Sequence, residues 1–297
     1  MKKVSVVGSG TMGNGIAHVF ALHGYAVQLI DLNGEALKKG LATIEKNLGR
    51  QVEKKLISPE QASTSLSRIH PITEINAHNL KDTDLVVEAV SENAEIKLSL
   101  FKQLDQYCPP HTILASNTSS ISITRLGGVT GRAEKVIGMH FMNPVPVMKL
   151  VEVIRGYATS DETCEQVVGY SRSLEKIPVA VRDYPGFVAN RILMPMINEA
   201  ICALHEGVAG VAEIDEVMKL GMSHPMGPLQ LADFIGLDVC HAILKVMQDG
   251  LGDQRYAPSP LLVNMVLAGK LGVKTGEGFY LHKTGSKELI PSPTFKK

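Results

Sequence analysis

The chain has 297 residues, of which 44% are hydrophobic and 20% charged, so it can bury a sizeable core and lacks the composition of a disordered protein. Its 30 Lys and Arg balance its 30 Asp and Glu, which leaves no overall charge to hold nucleic acid or an anionic membrane surface. Any anionic ligand must therefore be held locally, and the length favours two domains.

The amino-terminal segment does not resemble a signal peptide. Lys2 and Lys3 lead directly into the short apolar run Val4–Val7, which a glycine-rich turn ends. No stretch reaches the roughly 18 uninterrupted apolar residues of a membrane span. The four cysteines stand apart, without C-x-x-C spacing, at Cys108, Cys164, Cys202 and Cys240. This pattern predicts neither disulfides nor a metal site, and we expect a cytoplasmic protein.

Short β-rich runs alternate with helical patterns over the first half of the chain. The predicted strands are Lys3–Val7, Ala26–Asp31, Leu85–Ala89, Thr112–Ser116, Lys135–Met139, Leu150–Ile154 and Pro178–Val181. Helices are predicted over Glu35–Lys55 and Thr163–Leu174 from the spacing of their apolar residues. This alternation is typical of a parallel sheet that is covered by helices on both faces.

The turn Asp183-Tyr184-Pro185-Gly186 predicts a domain boundary, because strand signals nearly vanish after it. The helices predicted beyond it are Phe187–Leu204, Ala212–Leu220, Leu229–Ile235 and Leu237–Gln248. The sequence therefore predicts an α/β fold with an N-terminal Rossmann-like dinucleotide-binding domain, residues 1–184, and a C-terminal all-helical domain, residues 185–297. Helical periodicity does not explain the glycine-rich turn Lys274–Tyr280.

A glycine-rich turn follows the first predicted strand and opens a helix. Its sequence, Gly8-Ser9-Gly10-Thr11-Met12-Gly13, is a G-x-G-x-x-G motif. In that context the free N–H groups and the dipole of the helix favour the phosphates of a dinucleotide. Asp31, at the end of the second strand, would accept hydrogen bonds from an adenosine ribose and repel a 2′-phosphate. The predicted cofactor is NAD; the alternative is a glycine turn without a ligand.

His140 closes a predicted strand and is followed by a loop that Pro144 and Pro146 stiffen. Open α/β sheets place their ligands at this edge, so His140 is a candidate general base. Glu152, on the next strand, could return beside His140, fix its tautomer and raise its basicity. The alternative is a hydrogen-bonded structural histidine.

A run of hydroxyl and amide side chains, Ser116-Asn117-Thr118-Ser119-Ser120, leaves another predicted strand at the same edge. One of its serines, or Ser122, could cap the short helix that follows, and another could bind substrate. Asn190, on the first helix of the second domain, is either an ordinary polar residue or a substrate contact.

Several motifs together resemble a known family. In chain order they are GSGTMGNGIA, VVEAVSEN, ASNTSSI, GMHFMNPVPVMKLVE, PGFVANRIL, HPMGPLQLADFIGLD and KTGEGFY. They are spread over nearly the whole chain and resemble the L-3-hydroxyacyl-CoA dehydrogenase family, close to its short monofunctional 3-hydroxybutyryl-CoA members. The motif HFMNPVPVMKLVE is far more specific than the glycine motif.

The resemblance implies NAD-dependent oxidation of an acyl-CoA substrate, with His140 as the catalytic base and Glu152 orienting it. Ser119 and Asn190 would hold the substrate's oxygen atoms, so the site would lie in the cleft between the domains. Ser119 is chosen by its spacing to His140, with Ser116 as the alternative. The helical domain has apolar residues on its first helix, Phe187–Leu204, and again between Leu229 and Met247, so we expect part of this surface to be left over for two-fold pairing. The alternative is that the surplus covers the sheet domain and lines the acyl pocket. The resemblance also implies a homodimer through the helical domain.

The resemblance also assigns residues to cofactor and coenzyme A. Asp31 would bind the adenosine ribose, and the residues near the rest of NAD would be Glu92, Lys97, Asn143 and Lys274. Lys54 matches a basic position that contacts coenzyme A, but Asn47 stands where the family suggests a serine. The acyl-chain length, and whether the cell uses the enzyme in fatty-acid breakdown or in butyrate-type reduction, stay open.

Two other functions are weaker alternatives. A β-hydroxyacid dehydrogenase of the 6-phosphogluconate type shares the glycine start, but it uses a lysine on the first interdomain helix, and Gly186–Arg191 contains none. A non-catalytic dinucleotide-binding protein, similar to some lens crystallins, would have no reason to keep His140, Glu152, Ser119 and Asn190 together.

Overall fold

The polypeptide divides at the Asp-Tyr-Pro-Gly turn into two units, Met1–Tyr184 and Pro185–Lys297. The structure, a computed structural model, describes residues 2–283, 285 and 288–295. Within that part of the chain, no helix combines the length and the apolar character that crossing a membrane requires.

The first unit contains an eight-stranded sheet in the order β3-β2-β1-β4-β5-β6-β7-β8. The strands are β1 Lys3–Val7, β2 Ala26–Ile30, β3 Ile69–Ile72, β4 Leu85–Glu88, β5 Ile113–Ser116, β6 Val136–Phe141, β7 Leu150–Arg155 and β8 Ile177–Arg182. The helices are α1 Thr11–Leu22, α2 Gly34–Glu53, α3 Pro59–Ser67, α4 Ala77–Leu80, α5 Ala94–Tyr107, α6 Ile123–Gly127 and α7 Asp161–Ser173. This architecture confirms the Rossmann-like α/β prediction.

The predicted parallel sheet contains one antiparallel pair. Strands β6 and β7 are antiparallel, whereas every other neighbouring pair in this sheet is parallel. The loop 142–149 between them contains no helix. A parallel pair needs a crossover of a dozen or more residues, usually helical, so this shorter loop reverses the chain direction.

Strand β3 and helices α3 and α5 were not predicted, and the physical reason for β3 is clear. It has the sequence Ile69-His70-Pro71-Ile72, pairs with β2 alone and stands at the sheet edge. Proline is tolerated at such an edge because no neighbour needs its N–H group. A short edge strand with one proline has no alternating hydrophobic pattern, which is why the sequence did not indicate it.

Two predicted helices have different ends because of local backbone geometry. Helix α2 begins at Gly34 and ends at Glu53. The Asn33 side chain caps its start by accepting hydrogen bonds from the N–H groups of Glu35 and Ala36. Lys55, its predicted last residue, has a φ of 57°, which no right-handed helix accommodates. In the same way, Phe187 has a φ of 49°, so the first helix of the second unit begins later than predicted.

The second unit is helical, as predicted. Its elements are α8 Ala189–His205, α9 Val211–Gly221, α10 Pro228–Ile235, α11 Leu237–Leu251, α12 Pro260–Leu267 and the short strands β9 Tyr280–Leu281 and β10 Ile290–Pro291. The expectation that part of the apolar surface of this unit is left over agrees with Ile192, Phe234 and Val239, which are 68%, 59% and 40% exposed. Leu229, Leu237, Leu244 and Met247 are each 0% exposed and belong to the core of the unit.

The glycine-rich tail turn is held by Asp233 on α10. The Oδ1 atom of Asp233 accepts a hydrogen bond from the Phe279 N–H at 2.9 Å. Its Oδ2 atom accepts from the Tyr280 N–H at 2.9 Å and contacts His282 Nε2 at 2.8 Å. A Cβ atom on Gly278 would lie 2.0 Å from Asp233 Oδ1, so glycine is required there. This packing explains the segment that helical periodicity left unexplained.

Candidate active site

The glycine motif forms the turn between β1 and α1, at the point where the strand order reverses. Gly8 has a φ of 98°, and a Cβ atom there would lie 2.6 Å from the Ala89 carbonyl oxygen. A Cβ atom on Gly13 would lie 1.7 Å from the Gly8 oxygen, whereas nothing stands within 4 Å of the equivalent point on Gly10. The space over Gly10 is therefore open to a ligand, and Thr11 and Met12 follow Gly10 as the first residues of α1.

Asp31 stands directly after β2, beside this turn. Its Oδ2 atom accepts hydrogen bonds from Ser9 N at 2.9 Å and Ser9 Oγ at 2.7 Å, and Asn33 N donates to Oδ1 at 3.0 Å. Partial burial raises the pKa of Asp31, but these hydrogen bonds outweigh it and hold the pKa below its ordinary value. Asp31 is therefore ionised at neutral pH, as a ribose-binding carboxylate should be.

A cavity of about 740 Å³ opens beside the glycine turn. This volume lies within the range of about 300–1,000 Å³ of ligand sites. Its lining includes Gly8, Gly10, Asp31, Leu32, Ile75, Val90, Ile96 and Leu100. Backbone N–H groups for phosphates, a carboxylate for a ribose and apolar walls for a base therefore surround one space, and these residues fit NAD.

The remaining residues that the resemblance assigns to NAD have different surroundings. Lys97 is 1% exposed, and its Nζ atom lies 2.6 Å from Glu88 Oε1 and 3.3 Å from Glu92 Oε2. Asn143 is exposed in the loop after β6. Lys274 belongs to the second unit, where it pairs with Asp238. The structure thus brings Glu92 and Lys97 together, and contact of these four residues with NAD stays a prediction.

His140 and Glu152 are direct partners across the antiparallel strands β6 and β7. Their side chains are buried, and His140 Nδ1 lies 2.8 Å from Glu152 Oε2. The other ring nitrogen, Nε2, lies 3.3 Å from the Ser119 hydroxyl oxygen. The predicted return of Glu152 to His140 is confirmed, and it arises from the strand pair that the parallel prediction missed.

Ser119 and Ser116, the two candidate serines, lie in different environments. Ser116 is 0% exposed, and its hydroxyl donates to Glu88 Oε2 at 2.6 Å. Ser119 is partly exposed and contacts the His140 ring, so the geometry favours Ser119 over Ser116. The capping role falls to Ser122, whose hydroxyl accepts from the Arg125 N–H at the start of α6.

Two further predicted substrate contacts are Asn190 and Lys54. Asn190 is buried in the first turn of α8, in the second unit. Lys54 is exposed at the carboxyl end of α2, and Asn47 lies on the same helix. Their roles stay predictions. Across the described residues, no group of three or more histidine, cysteine or acidic side chains could hold a metal ion.

Glu88 is the one member of this cluster that sequence reasoning missed. It is 0% exposed at the end of β4 and contacts Lys97, Ser116 and the Val90 N–H group. A signal was available, because an acidic residue that ends a fully apolar strand is rarely buried without a charged partner. Lys97 follows nine residues later, in the first turn of α5, and could not be identified as that partner without the fold.

Comparison with known proteins agrees with this geometry. Residues 3–184 match the family model described as 3-hydroxyacyl-CoA dehydrogenase, NAD binding domain, and residues 186–282 match that of the C-terminal domain of the same family. A probable 3-hydroxybutyryl-CoA dehydrogenase of Bacillus subtilis is 53% identical over 280 residues, which cover 94% of this chain and 97% of the relative.

More distant sequences and solved structures give the same result. The human mitochondrial hydroxyacyl-coenzyme A dehydrogenase is 44% identical over 289 residues, covering 95% of this chain and 92% of its own. The crystal structure of (S)-3-hydroxybutyryl-CoA dehydrogenase PaaH1 from Ralstonia eutropha superposes with a TM-score of 0.92 at 49% identity, covering 96% of this chain and 100% of that one. The chain therefore belongs to the 3-hydroxyacyl-CoA dehydrogenase family and is an NAD-dependent oxidoreductase.

Proposed function

We propose that this protein oxidises short-chain (S)-3-hydroxyacyl-CoA thioesters, such as 3-hydroxybutyryl-CoA, reversibly to 3-oxoacyl-CoA, with His140 as the general base. The observation that carries the proposal is the position of the His140 ring between two oxygens. Glu152 Oε2 lies 2.8 Å from Nδ1, and Ser119 Oγ lies 3.3 Å from Nε2. The relatives named above as 3-hydroxybutyryl-CoA dehydrogenases support the short chain length.

Removing a proton from the 3-hydroxyl group is the task of His140. A free alkoxide does not form at neutral pH, and imidazole has an intrinsic pKa close to that pH. Glu152 holds Nδ1 as the protonated nitrogen, so Nε2 keeps its lone pair for the substrate proton. The Glu152 carboxylate then stabilises the imidazolium. General base catalysis of this kind contributes about 10²–10⁴-fold.

NAD, when bound, would supply the oxidation by accepting a hydride from C3 of the substrate. The chain positions the reactants: the glycine turn and Asp31 hold the cofactor, and Ser119 donates a hydrogen bond to a substrate oxygen beside Nε2. Asn190 would hold a second substrate oxygen, and Lys54 would contact coenzyme A. In the reverse direction, the imidazolium returns its proton to the forming alkoxide.

Stereospecific NADH formation tests this function. The purified chain is incubated with NAD and either (S)- or (R)-3-hydroxybutyryl-CoA, and NADH is followed by its absorbance. We expect NADH from the (S) thioester and no reaction of the (R) thioester or of free 3-hydroxybutyrate. Turnover of 6-phosphogluconate would favour the alternative dehydrogenase class, and NADH binding without turnover of any substrate would favour a non-catalytic protein.

We also propose that the chain works as a cytoplasmic homodimer through its second unit. The support is an apolar groove of about 410 Å³ between α8 and α9, whose lining includes Met196, Ala200, Ala203, Val208, Val217 and Met218. Val208 is 73% exposed and Val217 is 62% exposed, which is costly for two neighbouring apolar side chains in water. Two-fold pairing of this face with a second copy would bury them.

A further inference from the structure

The Glu92 side chain accepts several hydrogen bonds from the turn that contains Ser119. Its Oε1 atom accepts hydrogen bonds from Thr118 Oγ1 at 2.5 Å, Ser119 N at 2.8 Å, Ser120 N at 3.0 Å and Ser120 Oγ at 2.9 Å. Two of these donors are backbone N–H groups, so the carboxylate restrains the main chain as well as the side chains. The restrained turn includes the residue whose hydroxyl contacts His140.

The second carboxylate oxygen of Glu92 forms an ion pair with the buried Lys97. The Lys97 ammonium, on the first turn of α5, lies between Glu92 Oε2 at 3.3 Å and the fully buried Glu88 Oε1 at 2.6 Å. Glu88 in turn accepts from Ser116 Oγ and Val90 N at the ends of β5 and β4. Both oxygens of Glu92 are thereby occupied, one by the Ser119 turn and one by a lysine that the sheet fixes.

We propose that Glu92 is a positioning residue of the reaction, which acts through Ser119 by clamping the 118–120 turn so that the serine hydroxyl stays beside His140. The inference rests on the proposed function, because it requires Ser119 to contact substrate. It adds to the cofactor contact that the family resemblance implies for Glu92, since the four hydrogen bonds belong to the protein itself.

The electrostatics agree with this role. Burial raises the pKa of Glu92, but the Lys97 ammonium and the hydrogen bonds of the turn lower this pKa by more. The pKa of Glu92 is therefore below its ordinary value. Glu92 is thus ionised at neutral pH, and a charged acceptor forms stronger hydrogen bonds than a neutral one. The Glu92 side chain is 38% exposed, so its truncation does not open a cavity in the core.

A double-mutant cycle between Glu92 and Ser119 tests the proposal. The four proteins are wild type, Glu92→Ala, Ser119→Ala and the double variant, each assayed for kcat with saturating NAD and (S)-3-hydroxybutyryl-CoA. We expect Glu92→Ala alone to lower kcat about tenfold or more, because displacement of a positioning group by 1 Å costs up to about 100-fold. In the Ser119→Ala background the same change should lower kcat by less than about threefold, because the clamped hydroxyl is already gone.

A loss of about threefold or more in the Ser119→Ala background would overturn the proposal, since Glu92 would then act through another group such as the cofactor. So would a loss of less than about threefold in the wild-type background. A wild-type kcat for Ser119→Ala would contradict the substrate contact of Ser119 in the proposed function. It would therefore also contradict the positioning role of Glu92.

Two controls separate positioning from general damage. Glu92→Gln keeps an acceptor oxygen and should retain more kcat than Glu92→Ala, whereas equal losses would contradict the clamp. Glu45→Ala, an exposed acidic residue of α2, should leave kcat unchanged. The unfolding temperature of each variant, and its Kd for NADH from fluorescence, show whether folding or cofactor binding has changed instead.

Discussion

At the scale of single residues, the proposed chemistry depends on one imidazole whose two nitrogens have different neighbours. Glu152 contacts Nδ1 of His140, whereas Nε2 lies beside Ser119, where the proposed proton transfer would occur. Because His140 does not line the cavity beside the glycine turn, its role can be separated experimentally from cofactor binding.

Replacement of the proposed base should abolish turnover and spare cofactor binding. We expect His140→Gln to lower kcat by about 10²-fold or more, because glutamine cannot take a proton, while the Kd for NADH stays unchanged. Glu152→Gln should also lower kcat, since a neutral amide does not stabilise an imidazolium. His111→Gln, with a side chain 60% exposed, is the matched control. A wild-type rate in either active-site variant would exclude His140 as the base.

We also predict that a single residue, Asp31, decides the choice between NAD and NADP. The ionised Asp31 would face the 2′-phosphate of NADP, and like charges in a partly buried site cost on the order of a few kcal/mol. We expect the wild type to prefer NAD and the double variant Asp31→Ser/Leu32→Arg to narrow that preference, measured as the ratio of kcat/KM for NAD and NADP. Leu32 is 75% exposed, so Leu32→Arg alone serves as the control. A wild type that favours NADP would contradict the assignment.

At the scale of secondary-structure elements, the arrangement of strands matters more than their boundaries. The antiparallel pair β6 and β7 places Glu152 opposite His140. The parallel strands β1, β2, β4 and β5 bring the glycine turn, Asp31, Glu88 and the Ser119 turn to one edge of the sheet. The proposed cofactor site and the proposed base therefore belong to one sheet.

The attachment of the tail to α10 should depend on one buried carboxylate. Asp233 is 1% exposed and accepts hydrogen bonds from two backbone N–H groups of the tail turn. Asp233→Asn would present an amide to these donors, and leaving buried donors unsatisfied costs about 1–3 kcal/mol each. We expect a lower free energy of unfolding in urea. Asp249→Asn, with a side chain 70% exposed on α11, should leave stability unchanged. Equal stabilities would show that Asp233 does not anchor the tail.

At the scale of the whole molecule, oligomeric state follows from where apolar surface remains after folding. The exposed apolar residues of the second unit near α9 are Val208, Val217, Leu220 and Met222. Of the residues that the sequence suggested, Leu229, Leu237, Leu244 and Met247 fill the unit's own core. Ile192 on α8 and Phe234 on α10 remain exposed. The proposed dimer face therefore includes α8, which the sequence already suggested, and α9, which it did not.

Light scattering after size-exclusion chromatography tests the dimer. We expect a mass twice the 32.1 kDa of one chain for the wild type, and a mass of one chain for Val217→Asp, because a buried unpaired carboxylate opposes association. Tyr157→Asp, at a side chain 95% exposed in the first unit, should remain a dimer. A monomeric wild type at micromolar concentration would exclude the dimer, and a dimeric Val217→Asp would place the interface elsewhere.

Local sequence signals were sufficient for much of the fold. The strand β1, the glycine turn, the start of α1 and Asp31 follow one another within a short stretch, so periodicity and turn chemistry identify them without distant contacts. The same holds for the boundary at Asp183–Gly186, where the residue pattern changes from strands to helices. Edge strand β3 escaped this reasoning because its pattern is too short and contains proline.

The candidate site required the tertiary structure wherever its members are far apart in sequence. The residue types of His140, Glu152 and Ser119 were evident, but the 2.8 Å contact exists only because β6 and β7 are antiparallel. Spacing to His140 already favoured Ser119 over Ser116, and the burial of Ser116 against Glu88, which no spacing reveals, supports that choice. A sequence determines which side chains are available and which segments are strands or helices, because those depend on neighbours along the chain. Strand order and register decide which of these side chains meet. Both depend on long-range packing, which a local sequence pattern does not contain.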